Sequence, residues 1–280
     1  GDAAAQGAIA RRVGLPVSIA AAIAEVGGAE ACLELIENSH AEVALISIER
    51  VVARHGHLAA IREALLARPE LPASIRLALA EQLSRTLSRF VVARNWMNAD
   101  RAERMTSEAR ERVMISAAAD SRGAELARLV AHLRETGQLT PGLILRALLS
   151  GNEELFTQSL VELSGLTLAR VSGLTRDHGG AGLTALLTRA GFPASTIPAF
   201  RAAIAAMHEL GFAGSAGEQT QLRRTMVERV LTQCEECRTP ETEPLLILLR
   251  RFAVESAREE ARMLCEDLAA DDPRYAFMEM

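Results

Sequence analysis

Four cysteines spread over 280 residues are too few for a disulfide framework, and they are expected to be reduced. Aromatic residues make up only 3% of the chain, so within a hydrophobic share of 49% the core falls to Ala, Leu, Ile and Val. Such small side chains let helices approach closely. No stretch alternates apolar and polar residues with β-branched enrichment, which excludes a sandwich or barrel. Lysine does not occur: all 31 basic residues are arginine, a bias that carries no functional reading. A net charge of −5 excludes general nucleic-acid binding, because neutralising phosphates needs a basic surface. The longest apolar stretches, such as Leu245 to Leu249, are far too short to cross a bilayer. The first residues also lack a basic segment followed by an apolar one. A cytoplasmic location and no membrane span are therefore expected. The start at Gly1 in place of Met leaves room for an upstream segment.

Catalytic signatures are missing too. There is no Gly-x-Ser-x-Gly elbow, no His-Glu-x-x-His box and no Lys-Ser/Thr pair of the phosphate-loop type. Carboxylates are plentiful but interleaved with arginine in the manner of helix surfaces. No enzymatic activity and no cofactor are expected.

What is present is helical periodicity. Ile75, Leu79, Leu83, Leu87 and Phe90 recur at intervals of four or three, which places them on one face of a long helix that should bury this stripe. A start signal also recurs, an apolar residue followed by proline and a new apolar run: Leu15-Pro16, Leu71-Pro72, Phe192-Pro193 and, more loosely, Leu139-Thr140-Pro141. Proline costs little in the first turn, where its missing amide has no intrahelical partner. Gly27-Gly28 and His55-Gly56 read as helix stops, with Gly56 expected in the left-handed conformation and His55 near the last carbonyls.

These signals predict an all-α protein in three parts. Residues 1–138 read as an irregular HEAT-like helical solenoid. Residues 139–211 form a Gly-punctuated helical subdomain, and a Gly-rich hinge occupies 211–217. Residues 218–270 form a C-terminal antiparallel helical hairpin, which must dock on the body or make a homodimer. A charged helix is expected over 98–120.

Several segments resemble a known family: Gly14-Leu15-Pro16, Ala31-Cys32-Leu33-Glu34-Leu35-Ile36-Glu37-Asn38, Arg54-His55-Gly56, residues 65–72, and Gly179-Gly180-Ala181-Gly182-Leu183 followed by Arg189-Ala190-Gly191-Phe192-Pro193. Over its length to about Leu210 the chain is similar to an all-helical alphaproteobacterial domain-of-unknown-function family, numbered two-three-three-six. The resemblance implies a solenoid-like cytosolic bacterial protein and brings no activity or functional residues with it.

Four features compete for a role. Gly179, Gly180 and Gly182 open a helix whose backbone amides favour an anion, with Arg176 and Arg189 as candidate positive charges. Tight helix packing explains the same glycines, and Asp177 opposes an anion. Cys234 and Cys237 have the spacing of a redox pair or half a zinc site, yet both continue an apolar helix stripe. His55-Gly56-His57 lacks neighbouring ligands for a metal. Trp96 anchors a turn between helices, or, if exposed, marks a partner's hot spot. The favoured function is a non-enzymatic scaffold or adaptor that binds a protein partner, in bacterial signalling. The alternatives are a small-anion or nucleotide sensor at 179–182 and a zinc or thiol-redox protein.

Overall fold

The computed structural model describes residues 3–68, 71–176, 180–210, 216–236 and 238–270. Among them are fifteen α-helices, one 3-10 turn and no strand. The chain divides into two compact units, 1–125 and 126–280. The sequence-based boundary at 138 thus lies thirteen residues beyond the observed one.

The first unit contains α1 (Ala3–Ala10), α2 (Val17–Val26), α3 (Ala29–Glu37), α4 (Leu45–His55), α5 (Ala59–Leu66), α6 (Ala73–Ala93) and α7 (Ala99–Asp120). Through most of it each helix packs on the one two ahead: α1 on α3, α3 on α5, α2 on α4, α4 on α6. Helices α6 and α7 instead lie against each other. The shared core includes Ala20, Ala24, Ala31, Cys32, Leu35, Val51, Ile61 and Leu65, four of them alanine or cysteine. Pro16 and Pro72 sit at the N-caps of α2 and α6, and the preceding Leu15 and Leu71 are buried, which fixes the entry of each helix.

Arginine fastens these helices by their ends. Arg54 donates to the carbonyls of Ala24 at 2.6 Å and Gly27 at 2.7 Å, and Arg68 donates to Ile36 at 2.9 Å. These are last-turn carbonyls without amide partners, where a guanidinium satisfies both hydrogen bonding and the helix dipole. Gly56 ends α4 with φ −62°, not in the left-handed region expected from sequence. Space decides the residue instead: a Cβ there would meet the Val52 carbonyl oxygen at 2.5 Å and Gln82 Cγ at 3.2 Å. His55 hydrogen-bonds the Gly27 backbone of the neighbouring turn, and burial pushes its pKa below the usual value.

The second unit is built around α9 (Pro141–Leu149), where every residue from Leu143 to Leu149 is buried. Thr140 caps it, its hydroxyl accepting from Leu143 N at 3.2 Å. Helix α8 (Gly123–Glu135) precedes it; α10 (Glu153–Ser164), α13 (Ile197–Leu210), α14 (Ala216–Glu236) and α15 (Glu243–Ala270) pack on it, while α11 (Leu168–Arg176) and α12 (Ala181–Arg189) complete the body. One hydrophobic cluster runs from Ile144 to Phe252, so the segments read from sequence as 139–211 and 218–270 share a core. Residues 211–215 of the expected hinge lie outside the described residues, and Gly217 falls within α14. Helices α14 and α15 lie side by side, joined by ion pairs Arg224–Glu260 at 2.5 Å and Arg250–Glu235 at 2.9 Å. Arg146 of α9 is 5% exposed, pairs with Glu255 of α15 and holds its guanidinium 4.4 Å from the Phe252 ring centroid. A charge can stay buried there because it has both a carboxylate and an aromatic face.

No described helix is long and apolar enough to cross a membrane.

Candidate functional site

The stripe on α6 is buried only in its first half. Ile75 and Leu79 are 1% and 2% exposed, whereas Leu83, Leu87 and Phe90 are 41%, 54% and 45% exposed. This overturns the expectation that the whole stripe is covered. Glu81 shows where the remaining face points. Its carboxylate lies 3.7 Å from Arg110 of α7, and Leu83, two residues on, is turned about 200° around the helix from it. Leu83, Leu87 and Phe90 therefore face away from α7.

Trp96 extends this surface. Asn95 takes the left-handed conformation at φ 55°, letting Trp96 N donate back to Val91 O at 3.1 Å and Asn95 N to Val92 O at 3.0 Å. That paired turn ends a helix and brings the residue after the turn onto its last apolar positions. The Trp96 ring meets Phe90 edge-on, with centroids 5.6 Å apart, and the Arg94 guanidinium lies 4.8 Å from the Phe90 centroid. Trp96 nevertheless remains 68% exposed. It anchors the turn and offers a ring to solvent at once.

A groove of about 630 Å³ lies in the second unit, its lining including Gly180, Leu183, Arg201, His208, Cys234 and Glu236. Gly180 is the N-cap of α12 with φ 71°, and a Cβ there would stand 3.1 Å from Arg201 Nη2. The arginine brought to this helix start is thus Arg201, which sequence reading missed because it comes from α13. Arg189 is at the opposite end of α12, its Nε donating to Ser164 O at 2.9 Å. Arg176 ends α11 and does not line the groove, and Gly182 lies in the first turn of α12, also outside the lining. Gly179 and Asp177 lie outside the described residues. Carboxylates line the groove as well, and Glu209 among them is paired with Arg229 at 2.7 Å.

Cys234 is buried in the second unit's core, 6% exposed, and Cys237 lies outside the described residues. Among the described residues no group of three or more His, Cys, Asp or Glu is placed to hold a metal ion.

A bacterial family described as an uncharacterised protein conserved in bacteria (DUF2336) matches residues 1–239, and the chain belongs to it. The match runs past Leu210 and includes α14, beyond the extent read from sequence. No curated protein and no solved structure matches.

Proposed function

We propose that this member of an uncharacterised bacterial family is a non-enzymatic scaffold that docks a partner protein on the exposed face of α6. The observation that carries the reading is the uncovered row of Leu83, Leu87 and Phe90, continued by a Trp96 that is 68% exposed. Monomeric proteins seldom leave aligned large apolar side chains and a tryptophan in water, and buried aromatics dominate partner binding energies. The two-ahead packing of α1 to α6 supports an irregular HEAT-like arrangement, in which successive helices present similarly oriented faces. A role in bacterial signalling belongs to the same proposal.

The test is co-purification from the native bacterium with wild-type chain and with Leu87→Arg. A partner retained by the wild type and lost by a folded Leu87→Arg supports the reading. Identical retention by both sinks it.

The groove at Gly180 favours a second, smaller reading, a sensor of small anions, because the Arg201 guanidinium sits at the start of α12. Thermal shift by phosphate or nucleotides in the wild type, abolished in Arg201→Ala, is the expected outcome. No shift in the wild type ends this reading.

A further inference from the structure

Local charge narrows what kind of segment can cover the α6 face. Resting on the docking reading, we propose that the occupant is an acidic amphipathic helix of a partner protein. In a chain of net charge −5, α6 and its C-cap carry Arg76, Arg85, Arg89 and Arg94 against one carboxylate, Glu81. Glu81 is already engaged, by Arg85 at 3.1 Å and Arg110 at 3.7 Å, and Arg76 by Glu125 at 4.0 Å. Arg94 stands exposed at the C-cap beyond Phe90, set against its ring, and Arg89, exposed one residue before Phe90, adds positive charge to the same end of the helix. The start of α7 is balanced, Asp100 and Glu103 beside Arg101 and Arg104, so it does not cancel this excess.

Shape points the same way. Side chains at intervals of four and three make a ridge about 10 Å long between Leu83 and Phe90, which packs into the groove between ridges of another helix. A β-strand peptide would need a sheet edge for its backbone, and the described residues contain no strand. A second copy of this chain is disfavoured by charge: pairing α6 with α6 brings arginine-rich helices together with only the engaged Glu81 of each to share. A carboxylate near the end of a leucine face would instead meet Arg94, with Arg89 adding positive charge at that end of α6, while the leucines cover Leu83, Leu87 and Phe90.

The sole tryptophan of the chain lies on this surface, so its emission reports occupancy directly. The experiment titrates the full chain with a synthetic amphipathic helix of about five turns, leucine on one face and glutamate on its flanks, free of Trp and Tyr. The control has the same leucine face with arginine flanks. The acidic peptide is expected to shift Trp96 emission to the blue and to bind about tenfold more tightly than the basic one, with an affinity that falls as salt rises. Arg89→Glu with Arg94→Glu is expected to reverse the preference. Equal binding of both peptides overturns the charge assignment while leaving the apolar docking face in place. No shift with either peptide overturns the helical occupant, and the co-purification loss in Leu87→Arg then decides the docking reading separately. A larger shift with phosphatidylglycerol vesicles than with the acidic peptide overturns the proposal in favour of a membrane surface.

Discussion

Leu79 and Leu87 occupy equivalent positions of one helical stripe, eight residues apart, yet 2% and 54% of their surfaces meet solvent. Replacing each by alanine measures how far α6 is covered in solution. At Leu79 the substitution removes a fully packed side chain and leaves a cavity among α4 and α6 residues, a loss of about 3 kcal/mol. At Leu87 roughly half of the side chain's transfer energy is at stake, no enclosed cavity forms, and alanine is the better helix former, so the cost is about 1 kcal/mol or less. With a urea dependence of about 2 kcal/mol per M, the midpoint falls by about 1.5 M for Leu79→Ala and by under about 0.5 M for Leu87→Ala. The assay is urea unfolding of the full chain followed by the fluorescence of Trp96, the chain's sole tryptophan, which lies in the first unit. Equal shifts for the two variants would refute the reasoning, since they would mean that the distal stripe is already covered when the protein is free.

Three further outcomes are expected. Glu255→Ala leaves the Arg146 guanidinium buried without its carboxylate and should cost about 3 kcal/mol, whereas Arg146→Met with Glu255→Leu recovers most of that loss; chemical denaturation of both variants checks it. His55 has its pKa lowered by burial, so the unfolded chain binds its proton more readily than the fold does. Stability should be full above pH of about 6.5 and decline as pH falls below it, and His55→Gln should flatten that part of the pH profile. Cys265 is exposed while Cys32 and Cys234 are buried, and burial also pushes the Cys32 thiol up. Iodoacetamide should therefore alkylate Cys265 well before the other two, read by mass spectrometry of the native protein.

Local signals were the most legible part of the fold. Helix α7 begins at Ala99 after Asn98, whose side chain accepts from Arg101 N at 2.8 Å, and it ends at Asp120, close to the span 98–120 read from the charge pattern. Pro16, Pro72 and Pro141 mark starts because their constraint acts within one turn. Burial was less legible. Leu79 and Leu83 look alike in sequence, and what separates them is tertiary: Leu79 joins the first unit's core with Val51 and Val52 of α4, and Leu83 does not. The arginines show the same limit. Arg189 is near the glycine run in sequence but turns to Ser164, while Arg201, about twenty positions beyond Gly180, comes to rest against it. Arg146 and Glu255, 109 positions apart, had no pattern to connect them.

The docking face is tested most directly by in-cell crosslinking from a photoreactive residue at position 87, with the same residue at the exposed Glu30 position as control. An adduct with a second polypeptide from position 87 and none from position 30 is the expected result. No adduct from position 87 above the control, or an adduct formed only with another copy of this chain, would contradict it.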